Sequence, residues 1–453
     1  MSTKLPYIPP SIERNAMQQM NKFGYGSQVP VCEEIDGVPV AELTEQFGSP
    51  LFVYSENAIR SKARAAKRAF EKRYPKVQFA WSYKTCYLKA VCAVFHDEGS
   101  IAEVVSEFEY EKARALGIPG HDIIINGPYK TPSLLRRAVE DCAKIHLDNL
   151  DELFELEALA REKGVVVDVA IRVNMETGQL PAWSKFGFNL ENGEAMRTIR
   201  RMQANGLVRL VGLHTHIGTF VLDARFYQTA AQKLIELARQ ATAECGFDIE
   251  YFDLGGGFAS NNTLHAQYLP GEQTVPSFDD YAEAICDTFT REFSGGTKWP
   301  MLYLESGRAL IDEAGHLITS IIAQKHAPDG RRALIADCGI NMLYTTTWYR
   351  LRTLLAKPHA GGLSDTILYG PLCMNIDVLR NSVQLPPMER GDQLVLHPVG
   401  AYNVVQSMQF IMYRPSVVLI RSSGETVLIR ESENLDYVEE MERMPADLQP
   451  QAG

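Results

Sequence analysis

Short apolar runs and longer amphipathic stretches alternate along the chain from residue 77 to residue 305. The runs at 77–84, 101–106 (IAEVVS), 122–126 (DIIIN), 144–148 (KIHLD), 165–174 (VVVDVAIRVN), 208–217 (VRLVGLHTHI), 249–254 (IEYFDL) and 301–305 (MLYLE) read as strands buried on both faces. Between them, helical spacing of apolar residues predicts helices over Glu107–Leu116, Pro132–Cys142, Leu150–Lys163, Glu194–Ala204, Ala224–Cys245 and Phe278–Phe293. Another runs from Glu56 to about Lys72, capped by Ser55. Eight strands separated by helix-length segments predict an α/β fold, a (β/α)8 TIM-like barrel. An open doubly wound sheet is the alternative, and the count of eight favours the barrel.

The beat changes after residue 310. The segments 315–324, 331–336, 366–369, 393–397, 408–413 and 416–421 are β-rich and joined by Gly/Pro turns, which predicts a mostly antiparallel β domain. Val38-Pro39-Val40 and Pro50–Tyr54 are short apolar pieces that add strands to it. The expected organisation is an N-terminal segment, 1–54, contributing to the β domain; a barrel, 55–310; the β domain, 311–425; and an acidic tail, 426–453, weakly helical over 432–442. Residues 1–30 are read as a polar, Pro-rich surface wrap, and 445–453 as disordered.

Composition narrows the function. A chain of 453 residues with 45% hydrophobic and 22% charged residues is a globular protein with more than one core. A net charge of −11 argues against nucleic acid. The 8 cysteines are scattered without CxxC pairing, so neither a zinc site nor a disulfide framework is expected. No signal-peptide pattern and no run of membrane-spanning length is visible, and a cytoplasmic location with reduced thiols is expected.

Chemistry gathers at the strand ends. The first predicted strand delivers Lys84 with apolar residues behind it; such a lysine has a lowered pKa and acts as a nucleophile, or else points into water. The second strand gives Glu103 and Ser106. The sixth ends His214-Thr215-His216-Ile217-Gly218-Thr219, readable as a metal pair, a stacking platform, or one functional and one structural histidine. No acidic or cysteine set at ligand spacing supports metal. Gly255-Gly256-Gly257 after the seventh strand suits a phosphate nest or a plain tight turn. Glu305 and Arg308 follow the eighth. A lysine, a nest, a flat imidazole and a carboxylate at one barrel face together suit pyridoxal 5′-phosphate.

These motifs, in this order, make the sequence resemble the fold type III (alanine racemase-like barrel) pyridoxal-phosphate-dependent decarboxylases, the family of diaminopimelate, ornithine and arginine decarboxylases, and most of all its diaminopimelate branch. The likeness runs from about 45 to about 425. It implies that Lys84 in SYKTC holds the cofactor. His216 would stack on its ring, with Thr219 and Gly255-Gly256-Gly257 at its phosphate. Glu305 in Glu305-Ser306-Gly307-Arg308 would meet the ring nitrogen, a serine standing where the family has proline, and Tyr402 in Gly400-Ala401-Tyr402 would lie near the phosphate. Cys373 in Gly370-Pro371-Leu372-Cys373 would cross a homodimer interface to protonate the substrate carbon after carbon dioxide leaves, with Asp377 in the same loop.

The departures concern substrate. Met374 stands where the family has a glutamate for the distal amino group of diaminopimelate. Thr345 follows Ile340-Asn341-Met342-Leu343-Tyr344 where an arginine for the distal carboxylate is usual. Arg308 and Tyr349 remain, and Arg350 and Arg352 stand near enough in sequence to compensate. The resemblance implies an amino-acid decarboxylase, with meso-diaminopimelate as first substrate. The alternatives are decarboxylation of lysine, ornithine or a siderophore precursor, then a racemase on the same barrel, then a non-catalytic binding protein.

Overall fold

The computed structural model describes residues 29–178, 183–296 and 298–448. The expected wrap over 1–30 lies almost wholly outside these, as do residues 449–453.

The barrel strands are Val77–Ser82, Ile101–Val104, Ile123–Ile125, Lys144–Leu147, Val167–Asn174, Val208–His214, Tyr251–Asp253 and Met301–Leu304. Each pairs in parallel with the next, and the last returns to the first through Leu302–Val77 and Leu304–Phe79, so the sheet closes. The helices start where side chains satisfy the open N–H groups. Ser55 accepts from Ala58, Ser106 from Glu109 and Thr131 from Leu134, and Ser277 forms a reciprocal box with Asp280. The main core lies between this strand ring and the helices. Inside the ring sits a small cluster of Ala80, Ile124, Ala170, Val211, Tyr251 and Tyr303. Gly212 makes room for it, since a Cβ there would lie 2.3 Å from the Tyr251 ring.

The second sheet is assembled from distant parts of the chain. Leu51–Ser55 lies between Gly315–His326, antiparallel, and Val417–Ile420, parallel. Gly315–His326 also pairs with Arg332–Ala336 and Gln393–His397. Ile35, Val40, Leu43, Val53, Ile318, Val395 and Val418 make a separate core here.

Several expectations change. Residues 408–413 form no strand beyond an isolated bridge between Phe410 and Met412, and Met408, Phe410, Ile411 and Tyr413 stay exposed. Arg352–Leu355 and Val378–Leu385 are strands that lack a clear apolar run. Thr426–Arg430, assigned to the tail, pairs with Val417–Ile420 through the turn at Ser422-Ser423-Gly424; the helical part of the tail is Leu435–Glu439. Val40–Phe47 is a helix after the short hairpin of Glu34–Ile35 and Val38–Pro39. No helix among the described residues is long and apolar enough to cross a membrane.

Candidate active site

A cavity of about 360 Å³ opens at the C-terminal ends of the barrel strands, and Lys84, Glu103, Asn126, Arg172, His216, Thr219, Gly257, Glu305, Arg308 and Tyr402 line it. The first strand stops at Ser82, and one 3-10 turn, Tyr83–Thr85, swings Lys84 inward. Its ammonium lies 3.0 and 2.9 Å from the two oxygens of Glu103, which is itself buried and accepts from the Ser82 hydroxyl at 2.5 Å. The expected lowering of the Lys84 pKa is reversed. Burial does push it down, but the carboxylates of Glu103 and Glu305 outweigh burial and raise it.

Glycines let His216 and the cradle close together. The Gly256 N–H donates to His216 Nδ1 at 3.0 Å, which leaves the ring proton on Nε2. A Cβ at Gly255 would lie 2.7 Å from that Nδ1. Gly257 has φ +95°, and a Cβ there would lie 2.3 Å from the Gly218 carbonyl. Burial, then Arg172 and Lys84, hold His216 well below the usual imidazole range, so it presents a neutral ring. The Trp183 ring lies 5.2 Å from it.

Glu305 is buried at the cavity floor. Asn126 donates to one of its oxygens, and His214 Nε2 lies 3.5 Å from the other. Burial raises its pKa, but His214 and Lys84 outweigh that and hold it well below the usual carboxylate range. Arg308 lies between Tyr349 and Tyr402, its guanidinium 5.0 and 4.7 Å from their ring centres. Its Nε and Nη1 are buried and without a hydrogen-bond partner among the described residues.

Some predicted residues stay out of the cavity. Tyr349 is buried beside Arg308 and does not line it. Cys373 is exposed on its loop, and Met374 stands next to it outside the cavity lining. Asp377 is turned into the loop rather than toward a substrate: its oxygens accept from the Ile340 and Leu372 N–H groups, each at 2.8 Å. Arg350 donates to the Gln267 carbonyl and Arg352 pairs with Glu272, and neither lines the cavity. The Thr345 hydroxyl donates to Asn403 at 2.9 Å.

Glu103, Asn126 and Arg172 are among the cavity residues that escape sequence reading as site residues. Glu103 stood in the row of strand-end polar residues without a role. Asn126 and Arg172 sit singly on separate strands and carry no motif. The fold also supplies acidic neighbours for the HxH run, but to the other histidine: Asp253 and Glu305 meet His214 and His146.

The cavity fits pyridoxal 5′-phosphate. A lysine in the turn after the first strand, an anionic carboxylate on the floor and a neutral flat ring match the aldehyde, ring nitrogen and ring face of that cofactor. The glycine cradle, which any Cβ would fill, and Arg308, whose Nε and Nη1 make no hydrogen bond among the described residues and whose ion-pair partner Asp312 lies 3.9 Å away, suit its anionic end and a substrate carboxylate. Residues 57–312 match the family described as "Pyridoxal-dependent decarboxylase, pyridoxal binding domain". A diaminopimelate decarboxylase of Bacillus subtilis (strain 168) is 30% identical over 420 residues, covering 89% of this chain and 94% of that one. One from Actinosynnema pretiosum subsp. auranticum is 32% identical over 415 residues, covering 89% and 91%. The crystal structure of diaminopimelate decarboxylase from M. jannaschii in complex with L-lysine superposes with a TM-score of 0.83 at 28% identity, covering 92% of this chain and 97% of that one. Sequence and fold likeness thus extend well past the cofactor residues into the second sheet, and the chain belongs to the pyridoxal-dependent decarboxylases, carboxy-lyases that work with pyridoxal 5′-phosphate.

Proposed function

We propose that this enzyme, as a cytoplasmic homodimer, removes the α-carboxylate of an amino acid, with meso-diaminopimelate converted to lysine as the leading assignment. The observation that carries the chemistry is the pairing of an anionic Glu305 on the floor with Lys84 at the wall of one cavity. In this reading Lys84 holds the cofactor, Glu305 meets its ring nitrogen and His216 its ring face. Gly255, Gly256, Gly257, Thr219 and Tyr402 serve its phosphate. When bound, the cofactor supplies the electron sink that lets carbon dioxide leave.

The chain's own groups do the rest. Glu103 orients the Lys84 amine through both carboxylate oxygens. Arg308, with Tyr349 and Tyr402 at its sides, offers two buried N–H positions to a substrate carboxylate. Cys373 Sγ delivers a proton to the carbon that carbon dioxide has left. It does so in the partner's cavity, because its own loop holds it outward while exposed apolar side chains such as Ile376, Met408 and Phe410 offer a face for a second copy. The cofactor is carried by 55–310; the sheet drawn from 51–55 and 315–430 contributes Cys373 and Tyr402.

Mixing Lys84→Ala and Cys373→Ala dimers tests the shared site: subunit exchange restores turnover if each cavity borrows its cysteine, and leaves both proteins inactive if it does not. Diaminopimelate rests on the relatives, which are named for it. A second reading rests on Thr345, whose hydroxyl is engaged by Asn403, and on Met374: the substrate is lysine, ornithine or a larger carboxylated intermediate such as a siderophore precursor. Carbon dioxide release from meso-diaminopimelate, lysine, ornithine and arginine, measured side by side, decides. Release from diaminopimelate alone upholds the first reading, and release from another substrate or from none overturns it.

A further inference from the structure

Behind the cavity floor, four ionisable side chains from four strands meet. His146 comes from Lys144–Leu147, His214 from Val208–His214, Asp253 from Tyr251–Asp253, and Glu305 follows Met301–Leu304. All four are buried, and one side-chain N or O atom from each lies within 4.8 Å of the others. His214 and Asp253 are cross-strand partners. The His146 ring centre lies 4.8 Å from that of His214, and His146 Nδ1 lies 4.0 Å from Asp253 Oδ2. Asp253 Oδ1 accepts from the Gly255 N–H at 2.8 Å, which ties the cluster to the cradle. Among the described residues, no ring nitrogen of either histidine and no partner for Asp253 Oδ2 completes a hydrogen bond. Only Glu305 of the four lines the cavity. His146 is held in place from below by Tyr251, whose ring stacks on it at 5.8 Å in the space Gly212 leaves.

Two carboxyl groups this close and this dry do not both ionise without added positive charge. Charged groups approach from several elements. Lys84 and Arg172 stand on the cavity side, Lys130 stands behind His146 with its ion pair to Glu152, and Glu103 and Asp148 lie beyond Lys84 and Arg172. Burial, and then Glu305, push Asp253 well above the carboxylate range, while Glu305 is held well below it. Burial, then His214, hold His146 well below the imidazole range. Glu305 accepts from Asn126, has His214 Nε2 at 3.5 Å and shares the cavity with Lys84, whereas Asp253 Oδ2 has no hydrogen-bond partner among the described residues; the geometry favours the negative charge on the near carboxyl and the proton on the far one.

We propose that His146 and Asp253 are positioning residues that act through Glu305: Asp253 keeps a proton, His146 stays a neutral dipole beside it, and together they fix the anion at the cavity floor where the cofactor's ring nitrogen meets it. The inference rests on the reading of Glu305 given above. It assigns work to two residues that never touch cofactor or substrate.

The test is the visible absorption band of the protein loaded with pyridoxal 5′-phosphate, titrated from pH 6 to 10 in wild type, His146→Leu and Asp253→Asn. Asn copies a protonated Asp and keeps an acceptor for Gly255, so Asp253→Asn leaves the midpoint where it is in wild type. His146→Leu moves the midpoint down by one unit or more, as Glu305 gives up its charge more readily. His146→Gln carries the same expectation with a smaller shift if the leucine variant does not fold. A midpoint unmoved in the His146 variants, even with lowered thermal stability, overturns the proposal, because that is what a packing role alone produces. A shift in Asp253→Asn also overturns it, since Asp253 was then ionised. So does stoichiometric metal in the purified protein. If wild type forms no visible band that borohydride fixes on Lys84, the reading of the cavity falls and the inference with it; a band present in wild type confines any failure to the inference.

Discussion

The proposed site has two halves made on different terms: the first lines the cavity, and the residues named below for the second lie outside its lining. The half for the cofactor is built from strand ends of one barrel, and its side chains hold one another: Glu103 grips Lys84, Gly256 fixes the His216 tautomer, and Asn126 donates to Glu305. The half for the far end of a substrate is built from loops of the second sheet. There Thr345 is tied to Asn403, Asp377 holds the Cys373 loop, and Arg350 and Arg352 are engaged elsewhere. Chemistry is set in the first half, where a change of one residue disturbs several partners. In the proposed reading, substrate choice is set in the second, where single residues can change without unseating the cofactor.

The largest effect belongs to the first half. Lys84→Ala abolishes turnover and the visible cofactor band together; measurable turnover in the purified variant would contradict the role given to Lys84. Cys373→Ala comes next. It lowers kcat by about 10²–10⁴-fold, the range for loss of a proton donor, while the band stays. Band loss in that variant would mean that the two halves are not separable. Gly257→Ala forces a side chain onto a residue with φ +95° and against the Gly218 carbonyl, and strain of about 1–3 kcal/mol weakens cofactor binding roughly 5- to 150-fold in a titration of the unloaded protein. Binding equal to wild type would remove the cradle from the site. Thr345→Arg is expected to raise kcat/KM for diaminopimelate relative to lysine by about tenfold, the effect of one added charge-assisted contact; an unchanged ratio would show that this position does not read the distal carboxylate.

The smallest effect probes the rim beside Glu103. Burial lifts the Glu109 carboxyl to about 7, against one hydrogen bond from the Val105 N–H that pulls it down. A folded-state pKa above the unfolded one means that the folded protein binds the extra proton, so this group's contribution favours folding at low pH and is lost as pH rises from about 4.5 through 7. Glu109→Gln keeps an acceptor for Val105 and removes the titration, so its Tm relative to wild type should rise between pH 5 and pH 8. A constant difference in Tm would place the proton elsewhere.

Legibility followed the same division. The eight barrel strands were readable in order because each is a short apolar run between helix-length segments. Lys84, His216 and Gly255–Gly257 were readable because chemistry is written in consecutive residues at strand ends. The charge state of Lys84 was not, because its partner Glu103 lies on the neighbouring strand and the pairing exists only once the two are side by side. Arg172 likewise meets His214 only through strand register. In the second sheet, Val378–Leu385 holds three polar residues in a row, Arg380-Asn381-Ser382, and gives no strand signal, whereas the apolar 408–413 reads as a strand although Met408, Phe410, Ile411 and Tyr413 are exposed. Apolar content signals burial against something, and for 408–413 that something is not among the described residues.

Leu51–Ser55, fully buried between Gly315–His326 and Val417–Ile420, also carries a schedule. The strand leaves the ribosome early, and its two neighbours are made hundreds of residues later. At about 5–20 residues per second it waits tens of seconds with both edges open, while the barrel that follows it can already close. The cofactor half, Tyr402 apart, is therefore synthesised before the second sheet can be built, and a strand made after the barrel fastens one made before it.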